Sequence, residues 1–507
     1  MARNKARVAT RNMAMSRQKK LDKMENLNLE PRKVFDCFAL VNKVPRPSKK
    51  EEKMIAFLKE YGESLGLETN VDEVGNVIIK KPASKGYESC ATTIIQSHMD
   101  MVCEKNADVD FDFMNDAIQT EIDGEWMRAK GTTLGADDGI GVAMELALLA
   151  DDTIEHGPIE CVFTRDEETG LTGAQGMKPG FMSGKYLINL DSEDEGQIFV
   201  SCAGGARTEV TFNFNCEQAP ENYFFFKVGV KGLTGGHSGD DINKKRANAN
   251  KLLVRFMYNE MKKYGLRVSD IQSGGLHNAI PREGWAVCAV PVEYKENVRV
   301  DLNVFASEVE EEYSQTEKSV QFTLESVEPS EVIEKNISDK IITALQAVYN
   351  GVFAMSQDLD WLVETSSNLA SIHKVGNKVL INSSQRSSLG SARRNMSDTF
   401  AATFELAGAE VKIGEGYPGW KMNPDSEILK ITQEAYKRLF NKDCKVLAIH
   451  AGLECGLFSE KYPGLDMVSF GPTLRGVHSP DEKLLIPTVK MVWDLLLEIL
   501  KNIPKVK

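Results

Sequence analysis

Ala91-Thr92-Thr93-Ile94-Ile95-Gln96-Ser97-His98-Met99-Asp100 is an apolar, β-branched run that closes on a histidine and a carboxylate two residues apart. A run of this kind reads as a buried strand. Side chains alternate along a strand, so at its end His98 and Asp100 point to the same side. That spacing suits an imidazole bound to a metal through one nitrogen and held by a carboxylate through the other. It suits equally a turn, or a plain hydrogen-bonded pair.

Outward from this strand, residues 33–44 and 49–65 read as amphipathic helices. Strands are expected at 68–72, 77–81, 159–164 and 186–190, and a helix at 139–150 follows a Gly-rich turn. Strands alternating with helices predict an α/β domain built on a largely parallel sheet. Near Cys202-Ala203-Gly204-Gly205 the style changes. A strand at 223–230, a helix at 247–263, a strand at 286–291 and a charged helix at 296–313 predict an α+β unit on an antiparallel sheet. The α/β style resumes after about residue 401 and ends in a helix at 487–501. The expected organisation is a basic arm over 1–30, then an α/β domain over 31–203 and 402–507, interrupted by an inserted α+β domain over 204–401.

A chain of 507 residues exceeds one ordinary core, which agrees with two domains. The net charge of −13 is uneven, because residues 1–23 carry eight Lys/Arg and one acid. The acidic body argues against nucleic acid as partner. No apolar run approaches the roughly 20 residues of a membrane span, and no apolar segment of a secretory leader follows the basic N-terminus. Nine scattered cysteines without a C-x-x-C pair read as reduced thiols of a cytoplasmic protein. Within the arm, Ala2–Thr10 and Ser16–Glu25 resemble part of the interdomain arm of ABC-F ATPases. The chain has no Walker A phosphate loop, so no ATPase function follows.

Four further segments carry chemistry. Gly131-Thr132-Thr133-Leu134-Gly135-Ala136-Asp137-Asp138-Gly139 sets an acidic pair before a helix, where either acid suits an N-cap or a ligand. Asp166-Glu167-Glu168 closes a buried strand, and three adjacent acids there repel unless a cation lies among them. Asp191 in Asn189-Leu190-Asp191-Ser192-Glu193 stands at another strand end, and Gly476-Val477-His478-Ser479-Pro480-Asp481-Glu482 adds a late histidine. Ligands of open α/β sheets bind at strand ends, so these segments are expected to converge. Histidine and carboxylate donors without cysteine suit zinc or manganese in a hydrolytic centre.

At this point the chain resembles the two-zinc aminoacylase/carboxypeptidase-G/peptidase-T superfamily, and within it the cytosolic aminoacyl-histidine dipeptidases. The resemblance runs from about residue 31 to the C-terminus. It rests on QSHMDMV, GTTLGADDGIG, DEETG, NLDSEDEG, CAGG, KGLTGGHSG, NAIPRE, YPGW, HAGLECGLF and GPTLRGVHSPDE, in that order. It implies an α/β/α catalytic domain with an inserted lid and dimerisation domain, and two zinc ions per subunit that manganese or cobalt can replace. His98 and Asp191 would bind one ion, Glu168 and His478 the other, and Asp137 both. Asp100 would orient His98, and Glu167 would act as general base on a water shared by the ions. Asp138 stands where many relatives have Asn, which would add charge beside the bridge.

In the insertion, His237 reads on spacing alone as part of a Gly-rich turn. The resemblance makes it a substrate contact reaching a partner subunit's active site. It also implies substrate contacts at Asn278 and Arg386, with Gly452 and Glu454 bordering the pocket. Arg386 would grip a free carboxylate through two N–H groups. His156, His277, His373 and His450 read as loop or supporting residues. The implied activity is metal-dependent hydrolysis of dipeptides, Xaa-His and β-Ala-His among them, by a cytoplasmic homodimer. A deacylase of N-acyl amino acids and an inactive peptide-binding relative are the competing readings.

Overall fold

The computed structural model describes residues 29–357 and 359–506. The basic arm expected over 1–30 therefore lies outside the described residues, except for Leu29 and Glu30. The chain divides into two compact units. The first takes in the described residues up to Val200, then Asn423–Leu447 and those from Lys461 on; the second is Ser201–Met422 with Ala448–Glu460.

The first unit is built on a sheet whose central strands Ile159–Thr164, Thr93–His98, Tyr186–Asn189 and Asp466–Ser469 lie side by side and parallel. All six residues of Thr93–His98 are buried. A strand covered on both faces loses the polar alternation of a surface strand, which is why this one reads as a continuous apolar run. Helices Arg32–Val41 and Ala136–Leu149 pack together on the sheet, and Ile486–Lys501 packs against Glu427–Phe440. His98 pairs in register with Thr164, and Gln96 with Asn189. The segments after Thr164 and Asn189 therefore leave the sheet at the same edge as His98. A separate four-stranded sheet joins Thr120–Asp123, Trp126–Ala129, Lys483–Leu485 and Leu474–Arg475. Leu474 faces Leu484 there, so residues 476–482 form the loop of a hairpin with His478 in it. Gly476 and His478 both take left-handed backbone conformations in that loop, with φ of 66° and 62°.

The second unit is a nine-stranded sheet, antiparallel at every described pairing, with Val363–Val375 and Lys378–Ser387 at its centre. Helices Ala249–Tyr264, Lys295–Glu312, Lys335–Ala347 and Gly390–Glu405 share a core with it, which includes Leu253, Phe256, Phe305, Leu345, Phe400 and Phe404. The helix Ala249–Tyr264 starts where Asn248 accepts from the N–H of Lys251 at 3.2 Å and stops at Gly265, whose φ is 67°. Both are ordinary helix-end chemistry.

The second unit runs past the expected boundary at 401. Glu410–Ile413 pairs with Gly204–Asn213 at the sheet edge, and Tyr417 and Trp420 bridge to Gly205 and Cys202. The chain stays in this unit until Met422 and rejoins it over Ala448–Glu460. All nine cysteines are free. Among the described residues no helix is long and apolar enough to cross a membrane.

Candidate metal centre

The end of the parallel sheet in the first unit collects His98, Asp100, Asp137, Glu167, Glu168, Asp191 and His478. Asp137 is the hub: its Oδ1 lies 3.1 Å from Nε2 of His98, and its Oδ2 lies 3.2 Å from Nε2 of His478. Asp191 Oδ1 approaches His98 Nε2 to 3.5 Å, and Glu168 Oε2 approaches His478 Nε2 to 2.9 Å. Two donor sets result, His98–Asp137–Asp191 and Asp137–Glu168–His478, each with donor atoms within 4.8 Å of one another. Glu167 forms a similar group with His98 and Glu168.

The turn that carries Asp137 also settles which acid of the pair does what. Gly135 has a φ of 65°, and Asp137 and Asp138 do not have helical dihedrals although they stand inside the helical span. Asp138 Oδ1 accepts from the N–H of Gly141 at 3.2 Å, so Asp138 caps the helix while Asp137 faces the imidazoles. Burial and the neighbouring Asp191 push the pKa of Asp138 well up, which favours its neutral form.

Asp100 is fully buried behind His98, its Oδ1 3.4 Å from Nδ1 of the ring. The same carboxylate accepts from the N–H groups of Glu167 at 3.0 Å and Glu168 at 3.3 Å, and from Ser48 Oγ at 2.8 Å. One side chain thus fixes the imidazole and the acidic turn together.

The sequence motifs assign no role to Glu482, yet it organises the other side of the site. Its buried carboxylate accepts from the backbone N–H groups of Leu134, Gly135, Ala136 and Asp137 at 2.7, 2.8, 2.7 and 3.3 Å. It therefore ties the turn of Asp137 to the hairpin of His478. Arg46, also buried, donates to the carbonyls of Gly135 at 2.6 Å and Asp100 at 3.1 Å. The only sequence signal for Glu482 was its place four residues after His478.

The charge of the cluster calls for cations. The hydrogen bonds to Asp137 and then Glu168 outweigh burial and raise the His478 pKa to about 11. Burial works against a charged His98, but Asp191, Asp100 and Asp137 together raise it well above the usual range. Burial opposes ionisation of Asp137 too, and the two imidazoles nevertheless hold it low. Burial and then Asp137 raise Glu168, whose Oε1 is buried with no hydrogen-bond partner. Protons on the two imidazoles thus stand where divalent cations would serve the same acids better, and the nitrogen and oxygen donors fit zinc, manganese or cobalt.

A second cluster lies within the second unit. Arg386 is 6 % exposed, and its Nη1 donates to the hydroxyl of Tyr417 at 3.0 Å. Its Nη2 lies 3.4 Å from Nε2 of His237, and its Nε donates to Ser238 Oγ at 3.4 Å. His237 pairs with Ala279 on a short ribbon, which sets the exposed Asn278 beside it. Gly452 borders the Tyr417 ring, and Glu454 is fully buried at the start of helix Glu454–Lys461. Of the four remaining histidines, His450 is buried against Ser366 Oγ at 2.7 Å, His156 bonds the Gly157 carbonyl, and His373 bonds Gln272. None of the four belongs to a metal-donor group among the described residues.

Residues 94–502 match the model of peptidase family M20/M25/M40. The chain is 41% identical over 478 residues to the cytosol non-specific dipeptidase of Escherichia coli, covering 94% of this chain and 98% of that one. A crystal structure of aminoacylhistidine dipeptidase from Vibrio alginolyticus superposes with a TM-score of 0.88 at 41% identity, covering 95% of this chain and 98% of that chain. A short stretch of 33 residues, 6% of each chain, is 73% identical to the uncharacterized ABC transporter ATP-binding protein YfmM of Bacillus subtilis.

Proposed function

The chain belongs to peptidase family M20/M25/M40, and from that premise we propose that it is a cytoplasmic, two-metal dipeptidase whose substrates include Xaa-His dipeptides such as β-Ala-His. The observation that carries the reading is Asp137, whose two oxygens each face an imidazole nitrogen of a different donor set. His98 and Asp191 would hold one ion, Glu168 and His478 the other, and Asp137 both. Two divalent ions, zinc by preference with manganese or cobalt as substitutes, would polarise the peptide carbonyl and lower the pKa of a water towards ~7.

The residues of the chain do the rest. Glu167, its backbone fixed by Asp100, would take the proton of the attacking water and pass it to the leaving amine. Asp100 would keep the His98 proton on Nδ1 and leave Nε2 free as donor. Arg386 would bind the free carboxylate of the dipeptide, with His237 and Asn278 as further contacts and Gly452 and Glu454 at the pocket's border. The buried guanidinium has only neutral partners among the described residues, which supports an anion as its ligand. By family resemblance the second unit would pair two subunits, with His237 serving the partner's site.

Metal analysis joined to a substrate panel tests the reading. Two metal equivalents per chain are expected, with Gly-His and β-Ala-His turned over faster than N-acyl amino acids. Faster turnover of the acylated amino acids would transfer the chain to the deacylases. A metal-loaded, folded sample inert on every dipeptide would make it a binding protein.

A further inference from the structure

Tyr417, the first residue of the YPGW motif, lies in the second unit. Its backbone is pinned to Gly205 on both sides, the N–H of Tyr417 donating to the Gly205 carbonyl at 2.8 Å and the Gly205 N–H returning at 3.1 Å. Arg393 Nη1 donates to the Tyr417 carbonyl as well. The phenol ring occupies a slot that exists because two neighbours lack a Cβ. A Cβ on Gly205 would stand 2.7 Å from the Tyr417 hydroxyl, and one on Gly452 would stand 2.7 Å from Cε2 of the ring and 3.0 Å from the hydroxyl. A Cβ does not approach a ring atom that closely, so both glycines are requirements of the ring's position. Gly452, expected at the border of the substrate pocket, thus acts there through Tyr417.

The hydroxyl accepts from Arg386 Nη1, and among the described residues nothing accepts its own proton. A phenol can accept and donate at once, so the O–H is left to point at a ligand. The neighbouring guanidinium is in the same condition. Arg386 keeps N–H bonds on both Nη1 and Nη2 after its contacts with Tyr417 and Ser238. His237 Nε2 lies 3.4 Å from Arg386 Nη2, and because a guanidinium only donates, this ring nitrogen is its acceptor, while Nδ1 lies 3.5 Å from Asp240 Oδ2. The phenol O–H and the remaining guanidinium N–H groups therefore sit side by side with no anion on them among the described residues.

We propose that Tyr417 is a substrate-binding residue: with Arg386 it forms a composite clamp in which the phenol O–H and the guanidinium N–H groups hold one carboxylate, the free α-carboxylate of the dipeptide. This rests on the reading of Arg386 as the carboxylate holder, so the test separates the two. The metal-loaded enzyme is assayed for the KM of Gly-His and for competitive inhibition by the carboxamide of Gly-His, which lacks the charge. Tyr417→Phe keeps the ring in its slot and removes only the hydroxyl. One lost charge-assisted hydrogen bond raises KM for the free acid about tenfold, while kcat, the inhibition constant of the amide and the melting temperature stay at parent values. Arg386→Ala removes the preference for acid over amide. If Arg386→Ala keeps that preference, the underlying reading of Arg386 fails. If Arg386→Ala abolishes it while Tyr417→Phe keeps the parental KM, the tyrosine has no part in the clamp. An equal rise of KM and of the amide's inhibition constant in Tyr417→Phe reduces the residue to packing and overturns the proposal too.

Discussion

The cluster around Asp137 and the pocket around Arg386 are opposite solutions to one problem. In the first unit, Asp137, Glu168 and Asp191 crowd two imidazoles, and the fold leaves negative charge in excess. In the second, a buried guanidinium meets a phenol, a serine and an imidazole, and no carboxylate touches it among the described residues. Uncompensated charge is costly in a poorly hydrated site, so the two regions call for counter-charges of opposite sign. The difference lies also in how the groups are held. The acids are fixed by backbone N–H groups and buried carboxylates, whereas the guanidinium is fixed by glycine slots and neutral hydroxyls.

The contrast breaks most sharply at Glu167. If it is a base and not a ligand, Glu167→Gln keeps two metal equivalents by metal analysis and loses turnover by about 10²–10⁴-fold. A variant that retains parental turnover removes Glu167 from the mechanism; one that loses a metal equivalent places it among the ligands. Asp100→Asn is milder, because every ligand remains. A drop of roughly 10–100-fold in metal affinity, read by competition with a chelator, is expected from loss of the carboxylate behind His98. Unchanged affinity would confine Asp100 to packing.

A smaller effect is the proton balance of the metal-free protein. The His478 pKa is raised in the fold, to about 11, above its ordinary value near 6.5. Its stabilising contribution is therefore complete below about pH 6.5 and disappears as pH rises towards about 11. The melting temperature of the chelator-treated protein should fall across that window. Metal affinity should rise over the same window, because ligation displaces the imidazole protons, and calorimetry in buffers of different ionisation enthalpy should detect their release. A chelator-treated protein of constant melting temperature across the window would contradict the cationic state of His478. The smallest change is Glu482→Gln, which keeps the shape but sets an NH2 group against two of the four backbone N–H donors and removes those hydrogen bonds. A stability loss of about 1–3 kcal/mol is expected by denaturant unfolding of the metal-free protein. No loss would mean that the turn of Asp137 holds itself.

The central strands of the first unit were legible because complete burial makes them apolar from end to end, as in Thr93–His98. The centre of the second unit was not. Val363–Val375 and Lys378–Ser387 carry Ser366, Ser367, Asn368, Ser383, Ser384 and Gln385, all buried, so no apolar period marks them as strands. Their polar atoms are satisfied across the sheet, as where Thr208 donates to Gln385 at 2.7 Å and Thr365 shares a hydrogen bond with Ser387. Satisfaction by partners far along the chain leaves no local signature. The helix expected from Lys49 begins instead at Glu52, because Lys49 has a φ of 67° and its N–H is taken by the Glu51 carboxylate at 2.7 Å.

By itself the sequence determined the α/β class, the family, and the candidate donors, since strand periodicity and short motifs depend only on neighbours in the chain. The tertiary structure alone decided how those residues divide their work. It made Asp138 a helix cap and left Asp137 to the imidazoles. It set Glu482 against a turn 345 residues away, and Tyr417 between two glycines that stand 212 and 35 residues from it in the chain. Each of those outcomes depends on which distant backbone N–H or missing Cβ the fold brings within about 3 Å, and no local pattern encodes that distance.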